Sequence, residues 1–120
     1  MRTAVTSQGR ELDSRVDPRF GRAKYFVIVD TDTGELTVAD NAKNLNAAQG
    51  AGIQAGRNVV EIGVKAVITG HVGPKAYTTL QAGGVAVYTG ATGTVADAIA
   101  QFKAGKLKQS TGADVEGHWV

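Results

Sequence analysis

From residue 47 onward, short β-prone runs alternate with stretches of helical period, and this alternation most constrains the fold. Residues 47–62 place Ile53, Gly56 and Val60 on one side of a helix, with Val59 nearby. Lys65-Ala66-Val67-Ile68-Thr69 then reads as a short buried strand. Pro74 opens a second helix, where its missing N–H costs nothing, and Gly83-Gly84 closes it near Ala82. Val85-Ala86-Val87-Tyr88 is the next strand. Thr94, with Asp97 three residues later, starts a helix carrying Val95, Ile99 and Phe102 and ending at Gly105. Strands joined by helical crossovers run parallel, with right-handed connections.

The first part of the chain supplies the rest of the sheet. Arg2 to Ser7 is a strand-like run, and Tyr25-Phe26-Val27-Ile28-Val29 is a continuous β-prone run. Asp32-Thr33-Gly34 turns the chain into Glu35-Leu36-Thr37-Val38-Ala39, giving a hairpin. The expected architecture is therefore a mixed five-stranded α/β sheet with three helices, in the order β-β-β-α-β-α-β-α. Residues from 106 onward show no clear period. The expected domain is 1–109, followed by a tail, 110–120, that contains His118 and Trp119.

At 120 residues, 42% hydrophobic and 20% charged, the chain has the length and balance of one globular domain. Its formal net charge of +2 does not imply nucleic acid. No run is apolar enough to span a bilayer, and the first residues lack the apolar stretch of a signal peptide, so a cytoplasmic location is the expectation. The chain contains no cysteine, which excludes disulfides, thiolate catalysis and any iron–sulfur or zinc site held by protein sulfur.

In open α/β sheets ligands bind beyond the carboxyl ends of the strands, where loops and helix N-termini meet. Three loops should meet there: residues 8–23, Gly70 to Gly73, and Thr89 to Thr94. The first holds Arg10, Arg15, Arg19 and Arg22, with the adjoining Lys24, against Glu11, Asp13 and Asp17. Guanidinium groups suit anions, and the other two loops lead into helices whose free N–H groups do the same. From composition alone, such a loop is more often a solvated surface laced with ion pairs. His71 follows a glycine at a strand end, where a ligand contact is reasonable, but no second metal-ligating residue accompanies it in its motif. Gly50-Ala51-Gly52-Ile53-Gln54-Ala55-Gly56 has the wrong spacing for a dinucleotide fingerprint and reads as helix packing. No nucleophile–base arrangement or carboxylate cluster is visible, which ranks an enzyme acting on phosphorylated substrates last.

Taken in order, Asp17-Pro18-Arg19-Phe20-Gly21-Arg22-Ala23, Gln49-Gly50-Ala51-Gly52-Ile53-Gln54 and Ile68-Thr69-Gly70-His71-Val72-Gly73-Pro74 resemble the motifs of the dinitrogenase iron–molybdenum cofactor biosynthesis family. Gly93-Thr94-Val95 and Gly105-Lys106-Leu107 extend the resemblance over residues 1–109. It implies a ribonuclease H-like fold without nuclease activity, and a non-enzymatic carrier or scaffold for an anionic metal–sulfur cluster held non-covalently. A stand-alone, cysteine-free member implies a molybdenum–copper sulfide cluster, with iron–molybdenum cofactor or a precursor as the alternative. The site it implies comprises Arg15, Arg19, Phe20, Gly21 and Arg22 on the first loop, Gly70, His71 and Gly73 on the second, and Thr92 and Gly93 on the third. No protein metal ligand is expected. Where relatives carry His before Phe-Gly, this chain has Arg19, a side chain suited to anions. A metal-free regulatory or partner-binding domain acting with ATPases is the competing reading.

Overall fold

The computed structural model describes residues 1–41 and 51–112. Strand β1 (Arg2–Ser7) is followed by the hairpin β2 (Tyr25–Asp30) and β3 (Leu36–Asp40). Helix α1 (Ala51–Ile62), β4 (Ala66–Ile68), α2 (Pro74–Ala82), β5 (Ala86–Thr89), α3 (Val95–Lys103) and β6 (Lys108–Gln109) complete the order. The sheet runs β3-β2-β1-β4-β5-β6. β1 pairs antiparallel with β2 and parallel with β4, and β4 pairs parallel with β5.

The mixed α/β class and the order of elements from β1 to α3 are those expected from the sequence. The sheet has six strands rather than five. β6 is only two residues long, too short to display alternation, and pairs antiparallel with β5. Ser110 continues beyond it, its N–H donating to the Val87 carbonyl at 2.7 Å. Residues 47–50 of the predicted first helix, with Gln49-Gly50 of the second motif, and His118 and Trp119 of the tail lie outside the described residues.

The strand period of two sends alternate residues into two cores. Ala4, Phe26 and Ile28 join Ala55, Val59, Ala76 and Leu80 under α1 and α2. Val5, Val27 and Ile68 join Val95, Ala98 and Ile99 under α3. Fully burying a side chain such as Leu80 stabilises the fold by about 1.5–3 kcal/mol. The buried stripe of α1 is Ala51, Ala55, Gly56 and Val59, while Ile53 is half-buried. Small residues occupy this face because α1 lies tightly against α2: a β-carbon on Gly56 would meet the Thr79 methyl at 3.0 Å.

Candidate anion site at the carboxyl ends of β1 and β4

The loop joining β1 to β2, residues 8–24, is fastened at four places. At its centre the Asp17 N–H donates to the Thr6 carbonyl at 2.9 Å. The Thr6 hydroxyl lies 2.7 Å from the Asp17 carbonyl and 2.9 Å from the Thr69 hydroxyl. One hydrogen cannot serve both, so Thr69 donates to Thr6 and Thr6 donates to Asp17. Thr6 and Thr69 are fully buried, and this short relay satisfies both hydroxyls beneath the loop.

The second fastening joins the loop to the turn after β4. The His71 N–H donates to the Pro18 carbonyl at 2.8 Å, and the Phe20 N–H donates to the His71 carbonyl at 3.3 Å. Arg19 and His71 are thereby bridged in parallel. This requires Gly70, where a β-carbon would stand 2.7 Å from the Pro18 Cα. At the far end, the buried Asn41 amide donates to the Ala23 carbonyl at 2.7 Å and to the Gly21 carbonyl at 3.3 Å.

The fourth fastening uses the start of α3. Its first N–H groups, on Val95 and Ala96, donate to the Ser14 and Leu12 carbonyls at 2.8 and 2.9 Å. The Asp97 N–H donates to the Thr94 hydroxyl. Gly93 adopts a positive φ of 85°, and its carbonyl accepts the Val16 N–H at 2.9 Å. The donors that normally make a helix N-terminus attractive to anions are therefore spent on the protein's own loop.

The start of α2 differs. Gly73 caps it without a side-chain bond and Pro74 has no N–H. The N–H groups of Lys75 and Ala76 have no carbonyl within the helix to receive them. A β-carbon on Gly52 would meet the Ala76 β-carbon at 3.0 Å, which sets the starts of α1 and α2 side by side below Gly21.

The sequence-predicted site is thus divided. Arg19, Gly21, Arg22, Gly70, His71 and Gly73 gather at the α1 and α2 side, with Arg19 exposed and Arg22 and His71 half-buried. Arg15, exposed, is bridged to Thr94 beside Asp97, together with Thr92 and Gly93 at α3. Phe20 does not line a surface: it is fully buried, its ring 5.5 Å from that of Phe26. Arg10 lies over the Tyr25 ring at 5.1 Å. Thr6, Thr69 and Asn41, isolated polar residues at strand ends, carry no signal in the sequence that marks them as the buried anchors of this loop.

Asp17 is 5% exposed. Burial pushes its carboxyl above the ordinary value, opposed by the hydrogen bond from the Arg19 N–H and by the Arg19 charge. Among the described residues no group of three or more His, Asp or Glu side chains could hold a metal ion. No helix among them is long and apolar enough to cross a membrane.

A mixed sheet with an arginine-bearing loop laid across the β4–α2 turn makes this a small α/β protein, of one sheet flanked by three helices among the described residues. The chain belongs to the dinitrogenase iron–molybdenum cofactor family, whose model matches residues 1–105. It is similar to the orange protein of Desulfovibrio gigas in its apo form, with 40% identity and a TM-score of 0.92 over 95% of this chain and 96% of that one. It is also similar to the Thermotoga protein TM1290, a candidate NifB protein of the DUF35 family, with 40% identity and a TM-score of 0.84 over 97% and 98% of the two chains. The uncharacterized protein MJ0580 of Methanocaldococcus jannaschii is 32% identical over 99 residues, 81% of this chain and 84% of its own.

Proposed function

We propose that this protein binds and carries an anionic heterometal–sulfur cluster without covalent attachment and without catalysing a reaction. A molybdenum–copper sulfide cluster is the preferred cargo, with iron–molybdenum cofactor or a precursor as the alternative. The observation that carries this reading is the Arg19–His71 bridge. It lays the backbone of the arginine loop against the turn leading into α2, whose start has no side-chain cap, and this supports a site in which Arg19, His71 and the first N–H groups of α2 act at one end of the sheet.

The cargo brings its own sulfide ligands, so no protein side chain serves as a metal ligand in this reading. Arg19 and Arg22 supply charge and planar donors, Lys75 and Ala76 supply backbone N–H groups, and Gly21 and Gly73 keep the backbone low. Phe20 and Gly70 position the loop from beneath. Arg15, Thr92 and Gly93 fasten it to α3, away from the cargo. Family membership and the likeness to the orange protein support the reading.

Metal analysis of the protein purified from its native host tests it. Molybdenum and copper, or iron and molybdenum, together with acid-labile sulfide and in fixed ratio to protein, are expected. Protein that is consistently metal-free and co-purifies with an ATPase favours the regulatory domain instead.

A further inference from the structure

Among the described residues, Asp17 is the one buried carboxylate, and it sits at the centre of the arginine loop. An ionised carboxylate out of water needs a partner. Its Oδ1 accepts the Arg19 N–H at 3.0 Å and lies 4.0 Å from the Arg19 Nε. The backbone bond fixes the loop, and an asparagine oxygen would accept it equally well. The second contact is different. It is at the outer limit of an ion pair, and the Arg19 side chain is 48% exposed, so its guanidinium is accessible to an incoming ligand.

We propose that Asp17 tunes the affinity of the site by competing with the bound anion for the Arg19 guanidinium, and thereby couples anion binding to proton uptake. This rests on the carrier reading above, because it requires Arg19 to contact the anion. An anion that draws Arg19 away removes the charge opposing protonation of Asp17 and adds negative charge nearby. Both effects favour the protonated carboxyl. Burial acts in the same direction. Affinity should therefore fall as pH rises through the range in which Asp17 ionises in the complex. Among the described residues, the other chargeable groups at this end are Arg22 of the loop, His71 of the turn after β4 and Lys75 of α2. Thr6 of β1 and Thr69 of β4, which lie beneath, are neutral hydroxyls.

The test titrates unaltered protein and Asp17→Asn with a preassembled copper–tetrathiomolybdate anion across neutral to mildly acidic pH. Near neutral pH, Asp17→Asn should bind more tightly, on the order of fivefold, the effect of one partly screened charge at this distance. The two curves should converge as pH falls. His71 is the same in both proteins, so the difference between the profiles belongs to Asp17. Proton uptake on binding is measured by calorimetry in two buffers of different ionisation heat, using unaltered protein and His71→Gln, and does not require the Asp17 variant to fold. Uptake that persists in His71→Gln is expected. Binding by the unaltered protein with parallel pH profiles, or without proton uptake in His71→Gln, overturns the role of Asp17 and leaves the carrier reading standing. Failure of the unaltered protein to bind the probe overturns both.

Discussion

A β-carbon on Gly21 would stand 2.9 Å from both the backbone nitrogen and the Cα of Gly52. The arginine loop thus rests on the backbone of the first turn of α1, and backbone cannot move aside as a flexible side chain can. Gly21→Ala should destabilise the protein by about 1–3 kcal/mol through overpacking. Gly112→Ala, where no atom of the described residues lies within 4 Å of the added carbon, should stay within about 0.5 kcal/mol of the original. Denaturant unfolding of the two variants checks this.

The start of α3 gives a second expectation. Thr94 and Asp97 cap each other reciprocally, at 3.1 and 3.0 Å. Thr94→Ala should cost about 0.5–2 kcal/mol. The bonds from Thr94 hold the Asp97 carboxyl below its ordinary value of 3.8. The resulting stabilisation is present above that ordinary value and lost as pH falls through the lower, folded-state value. Thr94→Ala keeps the backbone N–H and loses only the share of the hydroxyl, so its deficit in thermal unfolding should shrink in part in strong acid.

The division of the arginines predicts unequal roles in binding. Replacing Arg19 and Arg22 together by Ala should weaken cluster retention while leaving the protein folded, the loss of the weak Arg19–Asp17 contact costing about 1 kcal/mol or less. Arg15→Ala, beside Asp97 at the far side of the loop, should retain most of the cluster. Metal content after desalting, measured beside the unfolding midpoint, separates the three proteins.

Asp17 should leave a mark on stability as well. Its folded-state value lies above the ordinary 3.8, so the folded protein holds this proton more firmly than the unfolded chain does. Its contribution is fully present below the ordinary value and is lost as pH rises through the folded value. Asp17→Asn keeps a similar acceptor for the Arg19 N–H and does not titrate. The stability of the variant relative to the unaltered protein should therefore improve from acid to neutral pH, as read from melting temperatures in matched buffers.

Much of this architecture was legible in the chain because its signals are local. The glycine pair after α2, the Thr94–Asp97 spacing and the β-prone runs each act within a few residues. What was not legible depends on contacts across the fold. Phe20 reads as part of the arginine motif, yet its neighbour Phe26 and the core under α1 decide that it is buried. The N-terminus of α3 looked open because the Leu12 and Ser14 carbonyls that occupy it are backbone groups with no side-chain signature. On α1 the expected face of Ile53, Gly56 and Val60 holds only at Gly56: close approach to α2 adds Ala51 and Ala55 and leaves Ile53 and Val60 half-buried.

The central claim, that the cargo is held by cationic loops rather than by protein–metal bonds, is tested most directly by mixing the metal-free protein with tetrathiomolybdate and copper. The mixture is desalted at low and at high ionic strength, and bound metal and visible absorbance are measured. Coloured, folded protein carrying molybdenum and copper at low salt, with retention weakening as salt screens the exposed contacts, is the predicted result. Metal that never co-elutes with folded protein contradicts the account, and retention indifferent to salt contradicts the electrostatic mode of binding.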